Sequence, residues 1–368
     1  MVDRGLLYRE WVQNRTVLVM VGLFLAAVNP FEVLNTYLVY QGCLDTPEAY
    51  CNFYVNSLES GMLNLNWAPA VILAVCLFGL ERTKGTIDTL FSLPYSRAQV
   101  FHTKFWLGAA VITGAQVIGY GLAELLILLL KPERVYFFHH YSVGEIIVSV
   151  LAFTLVASAG CLTGNTFAQL LTAFAVSIAP YLIITLPLSN VEVIFGVSMY
   201  ELMPSVEAYL KVNNLFQYLN PIMYIDTDWV SASKYILLIP AVMSIVFYAI
   251  GYFCYVRQPV ERNGRFFLWR QLDRPIQIVV IIIAVLGFGL AGYSTGHTMT
   301  GYVAGMIVGG AIGFLVSYFV IYKKSEACVR EEDRNDTAGI VVHRMEEKSV
   351  VVFMQRHSFN GGKPFYGL

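Results

Sequence analysis

The chain has 368 residues, of which 57% are hydrophobic and 13% are charged, and its mean hydropathy is +0.61. Soluble globular proteins contain roughly 45–50% apolar and about 25% charged residues, so this composition excludes an ordinary soluble protein and indicates a membrane protein. The net charge of −1 gives no sign of a nucleic-acid-binding protein, and the six cysteines are too few and too scattered for a disulfide scaffold.

Apolar stretches of about 20 residues, the length that crosses a bilayer as a helix, recur along the chain. We therefore predict an all-α polytopic membrane protein with about eight transmembrane helices. The turn at 164–166 between the fourth and fifth predicts a tight helical hairpin. The eight predicted spans are 16–34, 62–80, 105–130, 145–163, 167–189, 234–256, 276–293 and 301–322.

The basic residues determine the predicted orientation. All but four of the 24 Lys and Arg residues fall on the same side as the N-terminus, and by the positive-inside rule this side is cytoplasmic. Both termini are therefore predicted to be cytoplasmic. We expect 16–34 to be a retained span rather than a signal peptide, because no small-residue cleavage site follows it. The four exceptions are Lys131, Arg134, Lys211 and Lys234.

The segments that flank the first span have their own patterns. In 1–15, the residues Leu7, Tyr8 and Trp11 share one helical face, which is typical of an interfacial helix at the membrane surface; a simple charged flank is the alternative. The first outer loop holds Cys43 and Cys51. On an oxidising face these two either form a disulfide or stay free, and the sequence alone leaves both alternatives open.

The remaining segments complete the predicted organisation. The six-helix core is 16–256 and contains an outer helical segment at 190–233, predicted to form short helices over 194–202 and 206–219. A basic cytosolic connector at 257–275 leads to two further transmembrane helices within 276–322. The tail, 323–368, is predicted to be cytosolic, with a small β-hairpin formed by 340–342 and 350–353.

No motif for catalysis or metal binding is found. Gly362-Lys363 is followed by Pro364 and lacks the earlier glycine, so it is not a phosphate-binding loop, and the histidines have no metal-ligand spacing. Glu124 is the carboxylate that lies clearly within a predicted span. It is either a pathway residue or an outward-pointing glutamate paired with Lys131 or Arg134.

The cytoplasmic segment between the second and third spans, 81–104, is the most informative part of the chain. Ile87, Leu90 and Phe91 share one helical face, and Pro94 ends that helix. Ser96 and Gln99 have the spacing of a capping box, which predicts the start of the next helix. A short helix across the cytoplasmic ends of the spans is a suitable docking element for another subunit.

This segment resembles the corresponding region of ABC-2 type permeases, the membrane subunits of ATP-driven transporters. The resemblance implies that 81–104 is a coupling segment that contacts the ATP-hydrolysing subunit. It covers roughly residues 1–256, whereas the last two spans and the tail are additions to the usual six-span core. The positions that would make the ATPase-coupling contact are Glu81, Arg82, Gly85, Thr86, Leu90, Pro94, Ser96 and Arg97.

The resemblance further implies a function. The chain would be a permease subunit, not an enzyme itself, that exports a substrate across a bacterial cell membrane. ATP and Mg would bind to separate ATPase chains, and a second permease chain and membrane lipids would be its other partners. Two alternatives remain: an ion-coupled secondary transporter that uses Glu124, and a membrane sensor or assembly protein that transports nothing.

Overall fold

In the computed structural model, the residues described are 3–44, 51–56, 67–83, 94–136, 138–196, 217–225, 234–259 and 266–321. The chain divides into two compact units, 1–317 and 318–368. The described helices belong to the first unit, apart from the last residues of the final helix. The predicted hairpin in 323–368 and most of the predicted outer segment 190–233 lie outside the described residues.

The described part of the chain is predominantly helical, which confirms the predicted fold class. Seven helices in the described ranges are long and apolar enough to cross a membrane. The long helices are α1 (Arg4–Leu44), α4 (Arg97–Leu130), α5 (Phe138–Leu162), α6 (Thr166–Phe195), α7 (Leu238–Val256), α8 (Arg270–Gly296) and α9 (Met299–Ile321); the shorter helices are α2 (Trp67–Phe78), α3 (Leu80–Thr83) and the 3-10 turns Pro221–Ile225 and Lys234–Leu237.

Helix α1 corrects one prediction. Residues 4–44 form one continuous helix, so the segment 1–15 is not a separate interfacial helix. Tyr8 and Trp11 are exposed, as the predicted aromatic face requires, but Leu6 and Glu10 on the opposite face are fully buried. The segment is amphipathic, as predicted. Its buried face forms part of the first turns of a transmembrane helix and packs against neighbouring helices.

The second predicted span, 62–80, corresponds to a 12-residue helix, α2, among the described residues. Residues 62–66 of that span lie outside them. After Gly79 the chain continues as the single turn α3. Helix α2 is apolar throughout and its Leu73 and Leu77 are completely buried, so it packs in the core of the bundle.

Helix α4 begins where the sequence predicted. Ser96 is the N-cap, its hydroxyl accepts from the backbone N–H of Gln99, and the Gln99 side chain accepts in return from the backbone N–H of Ser96 at 2.9 Å. This confirms the capping box. The helix ends at Lys131, which caps it in the left-handed conformation with φ of 50°.

The predicted hairpin between the fourth and fifth spans is also confirmed. Helix α5 ends at Leu162, and Asn165 caps α6 by accepting a hydrogen bond from the backbone N–H of Ala168 at 2.8 Å. Helix α5 is the most enclosed of the long helices. Its Phe153 is fully buried and packs against Phe78 of α2 and Phe105 of α4.

Two short parallel strands, which the sequence did not predict, join loops of the bundle. Strand β1 (Tyr54–Asn56) pairs with β2 (Arg134–Tyr136), which directly follows α4. Next to β1, Phe53 packs against Tyr37 and Tyr40 of α1. This small sheet ties the C-terminal ends of α1 and α4 together. We call this end of the bundle the outer end, and the opposite end, which holds the N-termini of α1 and α4, the inner end.

Helices α8 and α9 form a closely packed pair. A Cβ on Gly309 would lie 2.5 Å from the carbonyl oxygen of Ala284 and 2.7 Å from Cβ of Phe288, so only glycine fits at this crossing. Helix α8 starts at Arg270, so the predicted connector 257–275 is shorter than expected and its last residues, including Arg274, are helical. The pair packs on α6, where Tyr302 donates a hydrogen bond to Asn190.

Candidate coupling site at the inner end

A buried ion-pair triad, Glu10–Lys104–Glu81, lies at the inner end of the bundle. The ammonium nitrogen of Lys104 on α4 is 2.9 Å from Oε2 of Glu10 on α1 and 2.6 Å from Oε1 of Glu81 on α3. It also donates to the carbonyl oxygen of Leu77 at 3.1 Å. These three acceptors match the three donors that a lysine carries. The side-chain exposures are 1% for Lys104, 0% for Glu10 and 8% for Glu81, so water is excluded from the triad.

The electrostatics of the triad make it sensitive to change. One lysine between two carboxylates leaves an excess negative charge, and Gln13 contributes a further donor to Glu81 at 3.3 Å. The second carboxylate oxygen of Glu10 and one guanidinium nitrogen of Arg9 are buried and have no hydrogen-bond partner among the described residues. Because an unpaired charge in a dry site is costly, loss of the lysine would destabilise this end of the bundle strongly.

The triad holds the beginning of the predicted coupling segment. Glu81 lies in α3, two residues before Thr83, where that helix ends, and the chain then enters 84–93, which lies outside the described residues. Through Lys104 the start of the segment is connected to both α1 and α4. A displacement of the segment would therefore act directly on two long helices.

The part of the coupling segment around Arg97 is held separately. Ser96 begins α4, and Arg97 donates to the backbone carbonyl of Gln258 at 2.6 Å, just after α7 ends. Gln258 is 3% exposed, so this contact lies against the bundle. Glu81 thus contacts α1 and α4 through Gln13 and Lys104, and Arg97 contacts Gln258, two residues beyond the end of α7.

The turn between α5 and α6 also lies at the inner end of the bundle. The backbone N–H of Gly164 donates to the carbonyl of Phe266 at 3.3 Å, and that of Leu268 donates to the carbonyl of Leu162 at 3.0 Å. Phe267 and Leu268 are buried. The residues just before α8 are therefore paired with the α5–α6 turn.

The structure places the predicted contact residues in different environments. Pro94 and Ser96 are exposed and Arg97 is half-buried, whereas Glu81 is only 6% exposed and its carboxylate points into the triad. Gly85, Thr86 and Leu90 and the side chain of Arg82 lie outside the described part of the chain. Among the described positions, Glu81 therefore has an internal role and the residues around Ser96 form the accessible surface.

Glu124 and the two loop cysteines lie toward the outer end. The Glu124 side chain is 45% exposed, and its Oε2 lies 3.7 Å from Nδ1 of His139; among the described residues it forms no ion pair with Lys131 or Arg134. This fits the outward-pointing alternative better than a pathway role. Cys43 and Cys51 are joined by a disulfide, with their Cα atoms 5.8 Å apart. It links the end of α1 to the residues before β1.

Other buried carboxylates were missed by the sequence analysis. Glu145 was placed at the start of the fourth span, but α5 begins at Phe138, which moves Glu145 seven residues into the helix, where it is 6% exposed. Glu32, also inside a predicted span, is 8% exposed. Glu124 is therefore not the principal carboxylate within the spans. The sequence contained one signal for this buried polar position: Glu145 and Ser149 are four residues apart, so they lie on one helical face.

Comparison with known proteins identifies the family. A family model described as "ABC-2 family transporter protein" matches residues 61–260, which includes the coupling segment and most of the spans. The chain belongs to the ABC-2 transporter family. It is similar to the "Probable ABC transporter permease YtrC" of Bacillus subtilis, with 56% identity over 327 residues that cover 89% of this chain and 100% of the relative. The "Probable ABC transporter permease YtrD" of the same organism is 49% identical, covering 88% and 99% of the two chains.

Membership of the ABC-2 family settles the general function. The chain is a multi-pass membrane protein and a transmembrane permease subunit of an ABC transporter, and it is not itself an enzyme. The family implies association with ABC ATPase subunits. This agrees with the resemblance that the segment 81–104 carried and decides against a secondary carrier or a non-transporting sensor.

Proposed function

We propose that this permease is half of the membrane part of a bacterial cell-membrane exporter, driven by separate ATPase chains that dock on the coupling segment. ATP and Mg bind to those chains; the 368 residues of the permease contain no phosphate-binding loop of the G-x-x-x-x-G-K-[ST] type. Closure of the ATPase pair around ATP pushes the segment, and hydrolysis releases it. The permease spans then alternate between two arrangements.

The observation that carries this mechanism is the buried triad. Lys104 joins the start of the segment at Glu81 to Glu10 on α1, and these contacts of 2.6 and 2.9 Å exclude water. A buried contact in which the lysine ammonium has three acceptors transmits displacement because its geometry tolerates little change. The triad is thus the proposed mechanical link between the docking segment and the spans.

A second permease chain completes the proposed assembly. Two different permeases of one organism, YtrC and YtrD, are both similar to this chain over nearly their whole lengths. Such a pair of related chains supports a partner of the same fold, either another copy or a related permease. The long helices carry extensive exposed apolar surface, available for that partner and for membrane lipids.

Co-purification and ATPase activity test the proposal. We expect an ABC ATPase to co-purify with the full-length permease from its native host, and its ATP hydrolysis to depend on the permease. Arg97→Glu should reduce this dependence, because it reverses the charge at the half-buried contact to Gln258. Lys131→Met, at the exposed far end of the same helix, is the matched control.

A second variant tests the triad. The neutral triple variant Glu10→Gln, Glu81→Gln, Lys104→Met should insert and bind the ATPase but lose permease-dependent ATP hydrolysis, because the link to α1 and α4 is weakened. Absence of any co-purifying ATPase would overturn the proposal. Full stimulation by the triple variant would remove the triad from the mechanism while leaving the docking role of the segment standing.

A further inference from the structure

The amide of Gln169 lies in a buried gap between α2, α5 and α6 near the inner end of the bundle. Gln169 is in the first turn of α6 and is 1% exposed. Its Nε2 donates to the backbone carbonyl of Val156 on α5 at 3.0 Å and to that of Ala74 on α2 at 3.4 Å. One side chain therefore joins the beginning of α6 to two neighbouring helices.

Two glycines leave the space that this amide fills. A Cβ on Gly160 of α5 would lie 2.6 Å from Nε2 and 2.9 Å from Cδ of Gln169. A Cβ on Gly79, which follows α2, would overlap Oε1 of the same side chain. Because neither glycine can be replaced by a larger residue unless Gln169 moves, the amide is confined on both sides.

The orientation of the amide follows from its partners. The groups that it meets on α2 and α5 are carbonyl oxygens, so the amide nitrogen has to face them. Oε1 of Gln169 then lies toward Gly79 and has no hydrogen-bond partner among the described residues. The cost of a buried unpaired acceptor is similar in size to the gain from two hydrogen bonds. Stability alone therefore does not explain why this position carries an amide.

The place of Gln169 beside the coupling segment indicates another role. Gly79 is the single residue between α2 and α3, and it lies two residues before Glu81 of the triad. The last turn of α2 is held from two sides. Lys104 of α4 donates to the carbonyl of Leu77 at 3.1 Å, and Gln169 of α6 donates to a carbonyl about one turn earlier. A displacement of α3 would therefore act on α6 as well as on α1 and α4.

We propose that Gln169 is a positioning residue that passes the displacement of the coupling segment from the α2–α3 junction to the first turns of α6. This path rests on the proposed function, because it carries the same push from the ATPase. The inner end of α6 moves with α3. The movement is absorbed further along α6, where Pro180 and Pro187 each remove a backbone donor and where the helix is little enclosed.

Hydrogen exchange of the assembled complex tests this path. The full-length permease is reconstituted in lipid nanodiscs with its co-purifying ATPase. Exchange is followed by mass spectrometry without nucleotide and with Mg²⁺ and a non-hydrolysable ATP analogue. In the unmodified complex we expect the nucleotide to change exchange in the first turns of both α4 and α6. Gln169→Met should lose the change in α6 and keep the change in α4, because methionine has a similar length but donates no hydrogen bond.

Gln116→Met is the matched control. Gln116 on α4 is also completely buried, and its Nε2 donates to the Ser149 hydroxyl on α5 at 2.8 Å. Its Oε1 likewise has no partner in the part of the chain that the structure describes. It lies 12 residues beyond Lys104, away from the coupling segment. Both methionine variants should bind the ATPase and keep the unfolding midpoint of the unmodified chain, but only Gln169→Met should alter the response of α6.

A second pair of variants changes the walls of the gap rather than the amide. Gly160→Ala places its Cβ against the amide of Gln169 and displaces it, so it should also remove the exchange change in α6. Gly114→Ala, on α4, is its control, because no atom lies within 4 Å of the added Cβ. This variant should leave both exchange changes intact.

The exchange pattern separates failure of this path from failure of the proposed function. The path is overturned if α6 does not respond to nucleotide while α4 does, if its response persists in Gln169→Met, or if Gln116→Met loses it equally. Each of these results leaves the coupling of the ATPase to the permease standing. An ATPase that binds but changes exchange in no helix of the unmodified permease would refute the proposed coupling, and this path with it.

Discussion

Replacing Lys104 with methionine tests the energetics of the inner triad most directly. Methionine keeps the length and apolar stem of the side chain but removes its charge and three donors. Glu10 and Glu81 would then share a dry site without their common cation, although each approached it within 3 Å. Breaking a buried ion pair from one side costs about 3–5 kcal/mol. Because whole proteins are stable by about 5–15 kcal/mol, this is a large fraction of the total.

A compensating variant separates charge burial from loss of packing. The triple variant Glu10→Gln, Glu81→Gln, Lys104→Met contains no charge at the site, and replacing a whole buried ionic group by neutral side chains is often neutral or stabilising. We therefore expect the triple variant to recover most of the stability that Lys104→Met loses. This order, in which three changes destabilise less than one, follows only if the lysine neutralises the two carboxylates.

The assay is thermal unfolding of the purified permease, followed by a thiol-reactive dye. Cys161 is 0% exposed and becomes accessible when the bundle opens, whereas the half-buried Cys76 and Cys254 give a dye background that is present before unfolding. Lys131→Met, at the exposed end of α4, should leave the midpoint unchanged. The reasoning is wrong if the free energy of unfolding of Lys104→Met lies within about 1 kcal/mol of that of the unmodified chain, which is the range of an exposed salt bridge. It is also wrong if the triple variant is no more stable than Lys104→Met.

Three further changes have clear expected outcomes. The double variant Cys43→Ser, Cys51→Ser should lower the free energy of unfolding by about 2.5 kcal/mol in the loop-entropy model. Its stability is compared with that of the unmodified chain in the oxidised state and in the reduced state. Gly309→Ala should lower the unfolding midpoint because its Cβ meets the backbone of α8, whereas Gly310→Ala, with 3.4 Å of space, should not; equal effects would contradict the close crossing. Ser96→Ala should cost about 1 kcal/mol through loss of the capping box, and no measurable change would show that the cap adds nothing.

The membrane-spanning part of the fold was readable from the sequence because about 20 apolar residues in a row are a strong signal. The helix ends were less readable. Helix α1 has 41 residues, so its polar first turns and its last ten residues lie beyond the predicted span, 16–34. Backbone hydrogen bonding extends a helix beyond its apolar part into the membrane interface, and the hydropathy pattern does not show this extension. Where a specific cap exists, as at Ser96 and Asn165, the boundary was predictable to within a residue or two.

The sequence predicted a coupling segment at 81–104, but it did not predict the contacts that its described residues make. Glu81 was recognised as part of the segment, yet the sequence suggested a surface charge for docking. Its partner Lys104 is 23 residues away and Glu10 is 94 residues from Lys104, so the triad depends on how three helices pack. Charged residues at the ends of spans look alike in sequence whether they face water or each other. Burial distinguishes them, and burial is a property of the packed bundle.

The packing of α1 on α4 is fixed at two levels along the helices. Glu10 meets Lys104, and 15 residues further along each helix Gly119 lies against Leu25 with the same separation of 94. Two fixed contacts about 22 Å apart, at 1.5 Å per residue, prevent the helices from sliding or rotating relative to each other. A push on Glu81 at the inner end would therefore move α1 and α4 as one body. In the proposed mechanism this movement would be taken up against less enclosed helices, of which α6, with two internal prolines and little burial, is the best suited.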